Sequence, residues 1–186
     1  MKRLFDFCLT LLAFIFLILP FLMVAIMVSL TSVGSVFYWS DRVGQANKLF
    51  RMPKFRTMQV DTPAVATHLL PDPKQFLTPV GSFLRKSSLD ELPQLWSVLK
   101  GDMSIVGPRP ALFNQYDLIK LRTEKGVHLL KPGITGWAQV NGRDELPIPD
   151  KVQLDVDYMN KQSFFFDLKI IALTVIKVLY SDGVQH

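Results

Sequence analysis

A single cysteine, Cys8, rules out a disulfide within the chain, so nothing in the sequence calls for an oxidising compartment. Only three histidines occur, His68, His128 and His186, and none stands with cysteine at a spacing that would hold zinc. Charge is scarce as well: Asp, Glu, Lys and Arg make up 20% of the 186 residues against 49% hydrophobic, which is apolar for a soluble enzyme. No G-x-x-x-x-G-K-[ST] run is present, which removes the P-loop enzymes, and no G-x-S-x-G, which removes the usual hydrolase elbow. No recognisable nucleic-acid-binding motif accompanies the net charge of +5. Anionic lipid headgroups and phosphorylated substrates fit that excess of cations better than nucleic acid does. Internal repeats and low-complexity tracts are also missing.

What is present begins with a long apolar run. From Phe7 to Leu30 only Thr10 and Ser29 are plainly polar, and about 24 residues exceed the roughly 7–15 of a secretory signal's apolar region. No small-residue cleavage site follows. The run therefore reads as a membrane segment, 1–34, ahead of a globular domain, 35–186. Pro20 divides it into halves of about 20 and 15 Å, neither of which crosses a core of about 30 Å. Basic residues flank both ends, Lys2 and Arg3 before it and Arg42, Lys48, Arg51, Lys54 and Arg56 after it. A re-entrant helix satisfies the positive-inside rule at both flanks, whereas a crossing one does not. The expected architecture is α+β, mostly helical: a monotopic membrane protein with both flanks of its segment in the cytoplasm, its small domain carrying a short β-hairpin.

Within the domain, Ser35 to Trp39 reads as a strand, Gly44–Asn47 as a turn, and Leu49 to Met58 as a second strand that Pro53 confines to a sheet edge. Gln59 to Pro79 reads as a surface loop. Phe83 to Lys100 carries a helical pattern in which Ser88-Leu-Asp-Glu91 matches a capping box and Gly101 supplies the stop. Ala111–Gly126, Lys151–Gln162 and Asp167–Tyr180 are further expected helices, and Lys131 to Arg143 a glycine-bearing loop.

Asp90 and Glu91 attract attention first. At a helix N-terminus both would stay ionised, and consecutive residues point about 100° apart, so one can face a phosphorus while the other turns to Mg²⁺. Acidic residues are nonetheless common in any first helical turn. In Gly107-Pro-Arg-Pro110 two prolines hold the backbone extended around one arginine, whose fork suits a phosphate. The glycines at 133, 136 and 142 could cradle phosphate through their amides, a weak signal by itself. Asp167 is by default an N-cap and otherwise a metal ligand.

Lys54-Phe-Arg-Thr-Met58, Ser88-Leu-Asp-Glu-Leu-Pro-Gln94, Leu99-Lys-Gly-Asp-Met-Ser104, Val106-Gly-Pro-Arg-Pro110, Lys131-Pro-Gly-Ile-Thr-Gly136 and Val140-Asn-Gly-Arg143 together resemble the bacterial sugar transferases, the monotopic polyprenyl-phosphate phosphoglycosyl transferases. Two positions depart from the pattern: Leu19 precedes Pro20 where serine is usual, and Met52-Pro53 stands where an aromatic is common. The resemblance implies a two-step reaction in which Asp90 attacks the β-phosphate of a UDP-sugar, releasing UMP. Undecaprenyl phosphate then takes the sugar phosphate from the enzyme. It implies Asp90 and Glu91 as catalytic residues, Mg²⁺ held by Glu91 and Asp167, and Lys54, Arg56, Arg85, Arg109 and Arg143 as substrate binders. The segment Trp137–Arg143 looks like that of members handling N-acetylated sugars. Inner-membrane lipids, and a second copy of the chain, are further expected partners. The resemblance also implies the cytoplasmic face of the bacterial inner membrane as the location. The competing expectations are a hydrolase or transferase using the same Mg²⁺ site on another phosphorylated lipid, and an inactive membrane-anchored scaffold.

Overall fold

The computed structural model describes residues 2–63, 72–142 and 146–180. It is mostly helical, with two small sheets. Helix α1, Lys2–Thr31, is the one described helix long and apolar enough to cross a membrane. It runs unbroken through Pro20, so the expected division there is not an interruption of the helix.

Each end of α1 buries one face against the domain, whereas its middle buries none. Val24 and Val28 near its C-terminal end pack with Phe55 and Leu84 of the domain, and the Phe21 ring lies tilted against Phe37 and Phe55, which stack on each other. Near the N-terminal end Asp6 and Thr10 are buried, while Leu11, Leu12, Ile15, Phe16 and Leu19 are exposed between the two anchored regions. Lys2, Asp6 and Thr10 fall at i, i+4 and i+8, a single helical face. That face meets the domain: Asp6 accepts from the Ser104 hydroxyl at 2.8 Å and from the Ile105 amide at 3.3 Å. Arg3 donates to the carbonyls of Val98 and, at 2.7 Å, Leu99. The membrane segment set off at residue 34 by composition is thus packed into the domain at both ends.

Strands β1, Phe37–Val43, and β2, Leu49–Phe55, form the expected hairpin, with β1 later and longer than its pattern suggested. The connection is a short 3₁₀ turn, Gln45–Asn47, closed by the Gly44 amide on the Lys48 carbonyl at 2.8 Å. Strand β4, Ala111–Leu112, pairs with the far side of β1, so β2 is the edge strand and Pro53 sits where no ladder donor is required.

The expected helix Phe83–Lys100 is in fact three pieces. Helix α2, Gly81–Lys86, stops where Ser88 turns left-handed at φ 56°; a 3₁₀ turn covers Leu89–Glu91; and α3, Gln94–Lys100, restarts after Pro93. Ser88 makes no capping bond, so the capping box is overturned. Proline explains the second break: Pro93 has no amide to continue the ladder and its ring clashes with the preceding turn. Helix α4, Tyr116–Glu124, likewise starts later than expected because Ala111 and Leu112 are recruited to the sheet.

Strand β3, Ser104–Val106, pairs in parallel with β5, Gly133–Thr135. The glycine-bearing loop is here, and its glycines serve contact, not phosphate. A Cβ at Gly133 would stand 2.1 Å from the Gly107 nitrogen, and one at Gly136 2.1 Å from the Gly107 carbonyl oxygen. The Gly133 amide is already spent on the Pro108 carbonyl at 2.9 Å. Short α5, Trp137–Val140, and the long α6, Ile148–Lys161, and α7, Phe164–Tyr180, complete the fold. Ser163, not Asp167, caps α7, accepting from the Phe166 amide at 3.2 Å.

Leu84 is fully buried in the cluster that seats the C-terminal end of α1. Leu84→Ala is expected to lower unfolding stability by about 2–5 kcal/mol. Chemical denaturation in detergent checks it: a lower midpoint at unchanged slope is the expected outcome.

Candidate active site

Asp90 and Glu91 sit on the 3₁₀ turn between α2 and α3, and three elements bring cations to them. From β2, Lys54 Nζ reaches Glu91 Oε1 at 2.7 Å and Asp90 Oδ2 at 3.7 Å. From the loop between β3 and β4, Arg109 Nη2 lies 3.3 Å from Glu91 Oε1. From α2, Arg85 is close enough to act on the Asp90 charge, its Nε donating to the Thr57 hydroxyl at 3.0 Å.

Asp90 is buried, and burial pushes its pKa above the usual carboxylate range; Lys54 opposes that most strongly, Glu91 adds to it, and Arg85 and Arg109 pull it back. The helix-terminal explanation for its ionisation is therefore replaced. A three-residue turn offers little dipole, and the charge is sustained by cations from elsewhere in the chain. Arg85 is affected in turn: burial lowers its pKa and the charge of Asp90 raises it.

The other expected site residues are placed differently. Arg56 is buried, its Nη2 donating to the Ser32 carbonyl at 3.0 Å and the Ser32 hydroxyl at 2.9 Å, which ties β2 to the end of α1. Arg51 lies over the Trp39 ring, 5.6 Å from its centroid. Of the three basic residues in that stretch, only Lys54 turns to the carboxylates. Asp167 is buried against Lys2, and its other oxygen accepts from the Tyr158 hydroxyl at 2.8 Å. Its partners are those of a structural anchor for α1, and no described contact joins it to Glu91. Arg143 lies outside the described residues.

Among the described residues no group of three or more His, Cys, Asp or Glu side chains could cage a metal. Two adjacent carboxylates are nonetheless a donor set that suits Mg²⁺ arriving with a diphosphate, since Mg²⁺ is commonly held by one or two carboxylates and substrate phosphate oxygens. The site fits an ion shared with its substrate, with Asp90 and Glu91 as the protein's share.

Sequence reading missed Lys2, Asp6, Arg122, Asp155 and Tyr158, all of which make buried or partly buried polar contacts around these elements. For the first two a signal exists: charged residues one turn apart at the head of an apolar helix call for partners. Arg122 and Asp155 carry none, being ordinary polar residues on mixed helices.

A buried Asp90 and a half-buried Glu91, ringed by cations, thus sit in a chain that also carries one long apolar helix. The chain belongs to the bacterial sugar transferase family, whose model matches residues 1–181. It is similar to the sugar transferase EpsL of Bacillus subtilis (strain 168), 49% identical over 192 residues that cover 100% of this chain and 91% of EpsL. The galactosyl transferase CpsE of Streptococcus agalactiae serotype III (strain NEM316) is 40% identical over 82% of this chain and 36% of CpsE. The UDP-glucose:undecaprenyl-phosphate glucose-1-phosphate transferase of Escherichia coli (strain K12) is 43% identical over 83% of this chain. The matched region is 35% of that enzyme's length, so the chain spans about a third of these two transferases.

A carboxylate whose pKa is raised on folding contributes stability that is complete below the ordinary carboxylate range and is lost as pH rises through the raised value. Asp90→Asn keeps the neutral form at every pH. It is expected to raise Tm near neutral pH, the gain shrinking as acidification protonates Asp90 in the wild type. Thermal melts across the acid range measure it, and an unchanged or lower Tm near neutrality contradicts it.

Proposed function

We propose that the chain transfers a sugar-1-phosphate from a UDP-sugar to undecaprenyl phosphate, with Asp90 as nucleophile, as the first membrane step in making a surface glycan. The observation that carries the reading is Asp90 buried beside Glu91 within reach of Lys54, Arg85 and Arg109. A nucleophilic carboxylate needs to be ionised yet poorly solvated, and cations supply the first condition while burial supplies the second. The names of the relatives, which pair UDP-glucose with undecaprenyl phosphate, support the substrate classes.

In the first step an Asp90 carboxylate oxygen bonds to the β-phosphorus of the UDP-sugar. The bond from that phosphorus to the bridging oxygen breaks, and UMP leaves with the oxygen. The sugar phosphate remains on Asp90 as an acyl phosphate. In the second step a phosphate oxygen of undecaprenyl phosphate attacks the same phosphorus, and Asp90 returns as carboxylate. Arg109 and Arg85 hold the diphosphate, and Lys54 keeps the carboxylates charged until substrate cations and phosphates replace its contacts. A bound Mg²⁺, held by Glu91 with Asp90, would neutralise charge on the phosphates. The resemblance of the Trp137–Arg143 sequence to members handling N-acetylated sugars makes UDP-N-acetylhexosamines the first donors to test; relatives named for glucose and galactose make UDP-glucose and UDP-galactose the second.

Helix α1 completes the reading as a re-entrant membrane segment with the domain on the cytoplasmic face. Both its ends rest on the domain, and a helix crossing the bilayer would carry one end about 30 Å away from it. The exposed middle is then what lies in lipid. A soluble scaffold would leave that apolar surface in water.

Two measurements follow. With UDP-sugar and no acceptor, intact-mass analysis is expected to show one phosphosugar on the wild type and none on Asp90→Asn; an adduct on the variant would place the nucleophile elsewhere. In a Cys8→Ser background, Lys2→Cys and Asn47→Cys are both expected to resist an impermeant thiol reagent in intact cells. Labelling at residue 2 alone would show a crossing helix.

A further inference from the structure

We infer that Arg122 and Asp155 are a positioning pair that fixes Arg109 for phosphate binding, acting through the backbone of the loop that carries it. This rests on the reading of Arg109 as a phosphate ligand. Arg109 lies in the Gly107–Pro110 loop between β3 and β4, and every carbonyl from residue 108 to 110 is tied by a different element. The Pro108 carbonyl accepts from the Gly133 amide at 2.9 Å, the Arg109 carbonyl from Arg122 Nη1 at 2.8 Å, and the Pro110 carbonyl from Arg42 Nη1 at 3.2 Å. Pro108 and Pro110 have no amide with which to brace the loop, so its order depends on these acceptors.

Arg122 commits its remaining donors to one buried oxygen: Nε and Nη2 reach Asp155 Oδ2 at 2.9 and 2.6 Å. Both side chains are nearly inaccessible, 9% and 2% exposed. Burial pushes the Asp155 carboxyl up, and Arg122 pulls it back. A buried ion pair of this kind is poor evidence for a stabilising role, because desolvation offsets its attraction and apolar residues of similar size often serve stability as well. Placement accounts for it better. The pair joins α4 to α6, and on the same helix the Tyr158 hydroxyl, whose one proton faces both Asp167 at 2.8 Å and the Val106 carbonyl at 3.1 Å, sits on the other side of the loop. One face of α6 therefore braces both approaches to Arg109. Packing does not do this alone, since the loop borders a cavity lined by Val43, Asn47, Ile119 and His128.

The test compares the double variant Arg122→Met/Asp155→Leu with the wild type and with Arg109→Ala, by UMP release from UDP-sugar with undecaprenyl phosphate. The double variant is expected to keep the wild-type Tm or exceed it, while kcat/KM falls about tenfold or more. In the Arg109→Ala background the same two replacements are expected to add less than about a twofold loss, because what they position is already gone. Arg122→Lys serves if the double variant does not fold: one ammonium keeps the charge but cannot hold both Asp155 and the Arg109 carbonyl, so activity falls while Tm changes little. Undiminished kcat/KM, or an equal loss with and without Arg109, overturns the inference. Amide hydrogen exchange at Gly107 and Ala111 reads the loop with no substrate present. Faster exchange there, with the rest of the domain unchanged, is expected; unchanged exchange overturns the pairing whether or not the wild type releases UMP.

Discussion

Two carboxylates on consecutive residues cannot both be charged inside a protein unless cations are brought to them, and the domain is arranged around meeting that need at Asp90 and Glu91. Lys54 comes from the edge strand, Arg85 from the helix before the turn and Arg109 from a loop between two sheets. Arg85 alone is near the pair in sequence; Lys54 and Arg109 are brought to it by the tertiary fold. Burial pushes the Asp90 carboxyl above the usual range, and the cations are what oppose it. The cations without burial would be screened and weakly held. Each condition is useful only because the other is met.

The same constraint explains why α1 is not a detachable anchor. Its C-terminal end packs on Phe55, next to Lys54, and on Leu84, next to Arg85. Its N-terminal end holds β3, from which the Arg109 loop departs, through Asp6 on Ser104 and Ile105. The long apolar segment and the cations around Asp90 and Glu91 therefore share one frame. Asp167 belongs to this frame as well: Lys2 balances its charge and the Tyr158 hydroxyl donates to it.

The glycines show how a familiar pattern acquires its meaning from packing. Gly133 and Gly136, with Gly142, look like a phosphate cradle along the chain, yet both of the first two face the backbone of Gly107. In space they let two backbones approach so closely that any side chain would collide, and the amide at Gly133 is used on the Pro108 carbonyl. Rigid backbone contact of this sort supports the Arg109 loop at its N-terminal end, while Arg122 and Arg42 support it further on.

The grouping of Lys54 and Arg85 with Asp90, Glu91 and Arg109 came from the family resemblance, but much else was legible in the residues alone: the apolar helix, the hairpin with Pro53 at an edge, and the helices at the C-terminal end. These follow from local rules of hydropathy, proline geometry and motif order, which act over a few residues. Where helices begin was read less well. Ser88 turns left-handed and Ala111 joins a strand because distant partners, not neighbours, fix those backbones. The fates of Arg56 and Asp167 were decided the same way, one by Ser32 and the other by Lys2 at the far end of the chain. A sequence names which side chains carry charge; only the fold decides which opposite charge each one meets, because a buried ion is stable only beside a partner and most partners here are dozens of residues away.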